Sequence, residues 1–154
     1  FTDLANDIAL FGEMDLDMIG VGPYIAHPGT PLGVQPPGNA PDQVPNTEDM
    51  AYKVVALTRL VCPEANIPST TALATLNRAS GREKGLNRGA NVVMPNLTPV
   101  QYRALYEIYP AKVCIDETSE QCRFCIQRRI TSIGRQPGRG QGARRNFQGA
   151  ARCR

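Results

Sequence analysis

The stretch NIPSTTALATLN, residues 66–77, decides how the chain is read. An apolar entry at Ile67 and Pro68 is followed by three hydroxyls, Ser69 to Thr71, and then by Leu73 and Leu76 at helical spacing. A short apolar run that ends in cap residues reads as a brief buried strand passing into a helix. Strand, hydroxyl-bearing turn, helix is the unit from which parallel sheets are built.

Working outward, the same order recurs on both sides. Upstream, DMIGVGPY (17–24) reads as a buried strand that feeds a long proline- and glycine-rich segment, 25–46, expected to run over the surface. Asn46 or Thr47 then caps a helix that opens with Glu48 and Asp49. It carries Met50, Val54, Leu57 and Val61 inward and stops near Cys62-Pro63. Before all of these, residues 3–17 form an amphipathic helix with Leu4, Ile8 and Phe11 on one stripe. Downstream of the quoted stretch, helical turns at 73–77 and 83–88 close at Gly89, ANVVMPN (90–96) is the next strand, and TPVQYRALYEIY (98–109) is a helix capped by Thr98. KVCI (112–115) reads as extended, and residues 123–134 form a last helix ended by Gly134.

Residues 17–24, 66–70 and 91–95 are therefore expected as adjacent parallel strands with right-handed crossovers and helices on one side. Functional groups should sit on the loops that follow the strands. Three such units do not close an eight-stranded barrel but can be its second half. A small open α/β sheet is the alternative, although GREKGLNRG (81–89) does not open a helix from a strand as a phosphate-binding turn would.

Charge is unevenly placed. Residues 1–122 carry 8 Lys or Arg against 14 Asp or Glu, whereas 123–154 carry 9 Arg and no acid. The chain divides accordingly into a folded part, 1–134, and a basic Arg/Gly tail, 135–154, too poor in apolar residues to fold independently. Without aromatic repeats the tail reads as solvated or partner-facing, not as a nucleic-acid arm. The chain of 154 residues opens on Phe1, inside its first helical pattern, so its beginning is expected to be missing. No leader or membrane-spanning run is present, which places the protein in the cytoplasm, or in an organelle interior if a targeting signal was lost with the N-terminus.

Three of the five cysteines fall within KVCIDETSEQCRFC, residues 112–125. Cys114, Cys122 and Cys125 place one thiol after a strand and two at the start of a helix, where sulfurs can converge on a metal centre. Three ligands without a fourth suit an iron–sulfur cluster better than a structural zinc site, and three buried thiols are the plain alternative. Spacing does not choose the metal. Thr70 and Thr71 can hold a carboxylate or phosphate at the end of the second strand, or one of them can simply cap the next helix. His27 stands alone in the proline-rich loop, so neither a histidine metal site nor a nucleophilic triad is supported. Asp15 and Asp17 fit turn chemistry at a helix-to-strand junction.

Residues 15–33, 55–60, 66–76, 89–115, 122–135 and 137–145 together resemble consecutive blocks of the HydE family, the radical S-adenosylmethionine maturases of FeFe-hydrogenase. The match runs from about residue 2 to residue 145, within a wider group that includes biotin synthase and methylornithine synthase. The resemblance implies an α/β fold: the C-terminal half of a radical S-adenosylmethionine TIM-type barrel with a C-terminal extension, residues 112–134 being the auxiliary-cluster segment. It assigns Cys114, Cys122 and Cys125 to an auxiliary 2Fe-2S or 4Fe-4S cluster that the family does not always retain. Thr70, Thr71, Met94, Tyr109 and Met18 are placed around the substrate cavity, and Tyr106, Ile108 and Ile25 near S-adenosylmethionine. Family members use a 5′-deoxyadenosyl radical on an organometallic iron–cysteine precursor from the sister maturase HydG and pass the product toward HydF, so neither nucleic acid nor membrane is implied. The Cys-x3-Cys-x2-Cys motif that holds their radical 4Fe-4S cluster is not among these 154 residues. The chain alone is therefore expected to be inactive, and a non-catalytic paralogue or a methylornithine-synthase-like or biotin-synthase-like enzyme is the alternative. The proline-rich loop at 33–46 also looks longer than is usual in the family.

Overall fold

A computed structural model describes residues 1–35, 38 and 40–144; the end of the predicted tail, 145–154, lies outside the described residues. Helices dominate. In chain order they are α1 (Thr2–Glu13), α2 (Glu48–Val61), α3 (Thr71–Leu76), α4 (Gly81–Asn87), α5 (Val100–Arg103) and α6 (Ser119–Ser132), with short 3₁₀ turns at Leu32–Val34 and Ala104–Tyr106.

The three predicted strands lie side by side and parallel, but each is reduced to a single point of pairing. Met18 bridges Asn66, and Pro68 bridges Val92. The first bridge is closed by Asn66 N–H donating to Asp17 O and Ile19 N–H donating to Asn66 O, at 2.9 and 2.8 Å; the second by Ser69 N–H to Val92 O and Val92 N–H to Ile67 O, at 2.9 and 3.2 Å. The expected runs 17–24, 66–70 and 91–95 are thus corrected to bridges, and Pro68 gives the reason. The next rung toward the first segment would need an N–H at residue 68, and proline has none. At Thr71 the second segment has already become helix.

Side chains alternate along an extended chain, so Ile19, Val21, Ile67 and Val93 share one face while Met18, Gly22, Pro68, Thr70 and Met94 share the other. The first face is covered by helices. Val55 of α2 and Leu86 of α4 pack with Ile67 and Ala90, and Val21, Val93, Ile130 and Ile133 close around them. Phe11 and Leu16 pack on Ile19, Cys62 and Ala65, which brings α1 to the same side. Helices on one side is the arrangement expected from the strand–helix order; on the other, Met18, Gly22 and Met94 are exposed while Asn66 and Pro68 are buried.

Local signals explain the helices. Thr47 caps α2 by accepting Met50 N–H at 3.2 Å, and Thr118 and Gln121 form a reciprocal capping box that starts α6 four residues earlier than expected. Gly89, at φ +116°, ends α4 in a conformation other residues avoid. A Cβ at Gly85 would come within 2.3 Å of Ser69 Oγ, so this glycine is what lets α4 lie directly on the second segment. The glycines of 81–89 therefore serve packing.

Three other expectations change. The buried face of α2 is Ala51, Tyr52, Val55 and Thr58, while Leu57 and Val61 are 50% and 45% exposed. Tyr52 fixes that rotation, because its hydroxyl bonds Glu48 Oε1 at 2.6 Å and Gly81 O at 3.3 Å. The helix expected over 98–109 is only α5 and a 3₁₀ turn, with Pro99 rather than Thr98 at its cap position. Arg103, 3% exposed, turns inward and gathers the carbonyls of Asn96, Thr98, Cys114 and Glu117, which locks the chain into a compact loop. Finally, 112–115 is bent and not extended, since Cys114 sits at φ +63°.

Over the residues described, the tail is exposed from 135 to 143 and makes a few contacts with the segments. Arg135 donates to Ala90 O at 3.3 Å, Gly142 O accepts from Asn66 Nδ2 at 2.8 Å, and Arg144 reaches Asp15 Oδ1 at 2.6 Å and Asp17 Oδ1 at 2.9 Å. Residues 135–144 thus cross the N-terminal ends of the third, second and first segments in turn, as a strap.

Candidate metal centre

The two ends of the parallel segments differ in chemistry. At the C-terminal end, Thr70 caps α3 by accepting Leu73 N–H at 3.4 Å, and Gly22 of the first segment lies against its side chain. Thr71 opens α3 and is half-buried, and Met94, 52% exposed, stands on the same face as Thr70. Met18 is on that face too, but it pairs with Asn66, four residues and about 13 Å lower than Thr70 along the strand direction. Tyr109 is half-buried with Thr75 and Arg82 as neighbours, and its burial lifts the phenol above its ordinary pKa. Tyr106 and Ile108 are exposed in the loop after α5, where Lys112 Nζ lies 5.0 Å from the Tyr106 ring centre. Ile25 is half-buried at the start of the proline-rich loop. In that loop His27 Nδ1 accepts Gly29 N–H at 3.0 Å, a turn role.

Two clefts open elsewhere. One, of about 240 Å³, is lined by Phe11, Asp15, Cys62, Glu64 and Arg144 among others; the other, of about 320 Å³, by Arg59, Glu64, Asn91 and Arg135. Both lie at the strap end, and neither is lined by Thr70, Thr71, Met94 or Tyr109. Cys62, in the first, is a free buried thiol whose pKa is raised by burial.

The cysteine segment is the most constructed part of the surface. Cys122 is buried and Cys125 half-buried, one turn apart on α6 and so on neighbouring positions of one helix face. Arg129, a turn further on, bonds Glu83 Oε1 at 2.7 Å and fastens α6 to α4. Cys114 reaches this region from the loop before α6. Its carbonyl accepts from Asn96 Nδ2 at 3.1 Å and from Arg103 at 2.9 Å, and its sulfur faces both terminal nitrogens of Arg82 at 3.7 Å. Burial raises the Cys114 thiol above its ordinary pKa; Arg82 opposes this by hydrogen bond and charge, and Glu117 and Cys122 add to it.

Among the described residues no three His, Cys, Asp or Glu side chains stand close enough to share one metal ion. The donors of this region are thiols, two on α6 and one on the loop before it, with a guanidinium beside one sulfur, and thiolates are the ligand type that iron–sulfur clusters take. The sequence singles out the three cysteines as candidates but not Arg82, which the structure sets beside Cys114. Its only trace in the sequence is a cation inside a glycine-flanked short helix, which was weighed as a phosphate motif and set aside.

No family model matches the chain. Over 143 residues, 93% of its length, it is 44% identical to the [FeFe] hydrogenase maturase subunit HydE of Thermotoga maritima. The chain spans 38% of that relative's length. No helix among the described residues is long and apolar enough to cross a membrane.

Proposed function

We propose that this chain supplies the later strand–helix units and the auxiliary cysteine site of a HydE-type radical S-adenosylmethionine maturase. The observation that carries the reading is 44% identity maintained over 93% of the chain. The parallel bridges, with helices on one face, support a half-barrel whose other face looks inward.

In this reading Met18, Thr70, Thr71, Met94 and Tyr109 line the substrate cavity, and Tyr106, Ile108 and Ile25 border S-adenosylmethionine. The radical 4Fe-4S cluster, held by residues outside this chain, supplies when bound the electron that cleaves S-adenosylmethionine. This chain's residues bind and orient. Thr71 offers a hydroxyl to an anionic group of the substrate, while Met94 supplies an apolar contact on the same face as Thr70. Cys114, Cys122 and Cys125 would hold the auxiliary cluster. The substrate class is the organometallic iron–cysteine precursor, HydG and HydF are the partners before and after it, and the setting is the cytoplasm or an organelle interior.

The test is maturation of FeFe-hydrogenase apoprotein by the full-length parent together with the other maturases, compared with the same mixture lacking it. Hydrogen production only when the parent is present is the expected result. S-adenosylmethionine cleavage without maturation would move the assignment to a methylornithine-synthase-like or biotin-synthase-like enzyme, and neither activity would leave a non-catalytic paralogue.

A further inference from the structure

Arg82 is a buried cation with no carboxylate. It is 6% exposed, and its only side-chain hydrogen bonds among the described residues go to Cys114 Sγ, at 3.7 Å from each terminal nitrogen. The other buried or paired arginines are accounted for. Arg129 bonds Glu83, Arg144 bonds Asp15, and Arg103 and Arg59 are each ringed by backbone carbonyls. A guanidinium out of water without an anion is strongly unfavourable, so the position makes sense if something negative resides at the sulfur it faces.

The sulfur is held there against a backbone preference. Cys114 adopts φ +63°, a conformation that non-glycine residues seldom take, and Asn96 and Arg103 pin its carbonyl. These bonds fix the backbone from which the Cys114 side chain projects toward Arg82.

We propose that Arg82 is a positioning residue for the auxiliary cluster: it donates two N–H groups to the Cys114 ligand sulfur and serves as the cluster's counter-charge. The inference rests on the auxiliary-cluster reading above. Reduction adds an electron to a group that is already anionic. A fixed cation and hydrogen bonds to sulfur, in a site shielded from water, stabilise the reduced form more than the oxidised one and raise the reduction potential. Arginine suits the role better than lysine because two of its nitrogens converge on one atom at fixed geometry.

The experiment uses the full-length parent reconstituted with iron and sulfide. Iron per chain is first compared with the C114A/C122A/C125A variant, and the auxiliary-cluster potential is then followed by EPR-monitored titration in the parent, R82Q and R82K. R82Q removes the charge but keeps a donor; R82K keeps the charge but loses the fork. We expect less iron in the triple variant, a lower potential in R82Q, and an intermediate one in R82K. Equal potentials in parent and R82Q, with the triple variant short of iron, overturn the inference and leave the auxiliary cluster standing. Equal iron in parent and triple variant overturns both. Where R82Q retains no cluster, R82K decides: parental iron in R82K supports the counter-charge, and iron lost in both variants reduces Arg82 to a packing role and overturns it.

Discussion

The two ends of the parallel segments are built to different rules. At the N-terminal end a network of side chains is paired within the chain, with Glu64 Oε2 left buried and unpartnered beside it among the described residues. Asn66 Oδ1 accepts from Asn91 Nδ2 at 3.0 Å, Asn91 Oδ1 accepts from Ile67 N–H at 2.8 Å, Arg59 gathers the carbonyls of Cys62, Pro63, Ala65 and Gly89, and Arg144 closes on Asp15 and Asp17. At the C-terminal end Thr70 makes one capping bond, and Met94 and Tyr24 are exposed. An end whose polar groups satisfy one another contributes stability. An end that leaves hydroxyls and thioethers uncommitted is available for a ligand, as in barrels generally.

Substitutions can break that contrast. The largest expected effect is at Asn66, which is buried and exchanges bonds with both Asn91 and the strap. Asn66→Ala removes two part-buried hydrogen bonds, to Asn91 and to Gly142, and should cost about 1–2 kcal/mol in urea unfolding of the full-length protein. An unchanged midpoint would show that this end is not the stabilising one. Thr70→Ala should cost less, about 1 kcal/mol, as the loss of a helix cap. If the same variant also lowers maturation well beyond its loss of folded protein, Thr70 acts on a ligand as well as on α3.

The smallest effect is expected at the strap's ion pairs. The hydrogen bond and charge of Arg144 hold the Asp15 carboxyl below its ordinary pKa. A carboxylate depressed in the folded state contributes stability that is present above its unfolded pKa and is lost as pH falls through the folded one. The strap should therefore remain docked through the ordinary carboxylate range, about pH 4, and loosen only below it. Both partners meet water, so high salt should loosen it at neutral pH too. Limited proteolysis between Gly134 and Arg144 reads both effects, and cleavage that ignores pH and salt would mean that the side-chain bonds of Asn66 and Arg135 to Gly142 O and Ala90 O hold the strap without the ion pairs.

What could be read from the sequence was whatever depends on neighbours along the chain. Thr47 before an acidic pair announced α2, Gly89 and Gly134 marked helix ends, and the order of apolar runs and helices announced parallel neighbours. What could not be read depends on contacts across the fold. Met50, Val54, Leu57 and Val61 formed as good a helical stripe as Ala51, Tyr52, Val55 and Thr58, and contacts across the fold, Val55 with Ile67 and Tyr52 with Leu73 and Gly81, select between them. Pro68 was visible, but its effect on the ladder depends on which neighbour its missing N–H would have faced. In the candidate site the thiols announced themselves by spacing, while Arg82 became recognisable only once the fold had removed it from water and set it against Cys114.

The strap also imposes an order in time. Asp15 and Arg144 are separated by 129 positions, so at ribosomal rates the two carboxylates at 15 and 17 emerge about ten seconds before the cation that will meet them. Contacts between residues this distant carry the largest loop-closure entropy and form late. The strand–helix layers can assemble during synthesis, and the lacing of their lower edges comes last among these contacts, once Arg144 has left the ribosome.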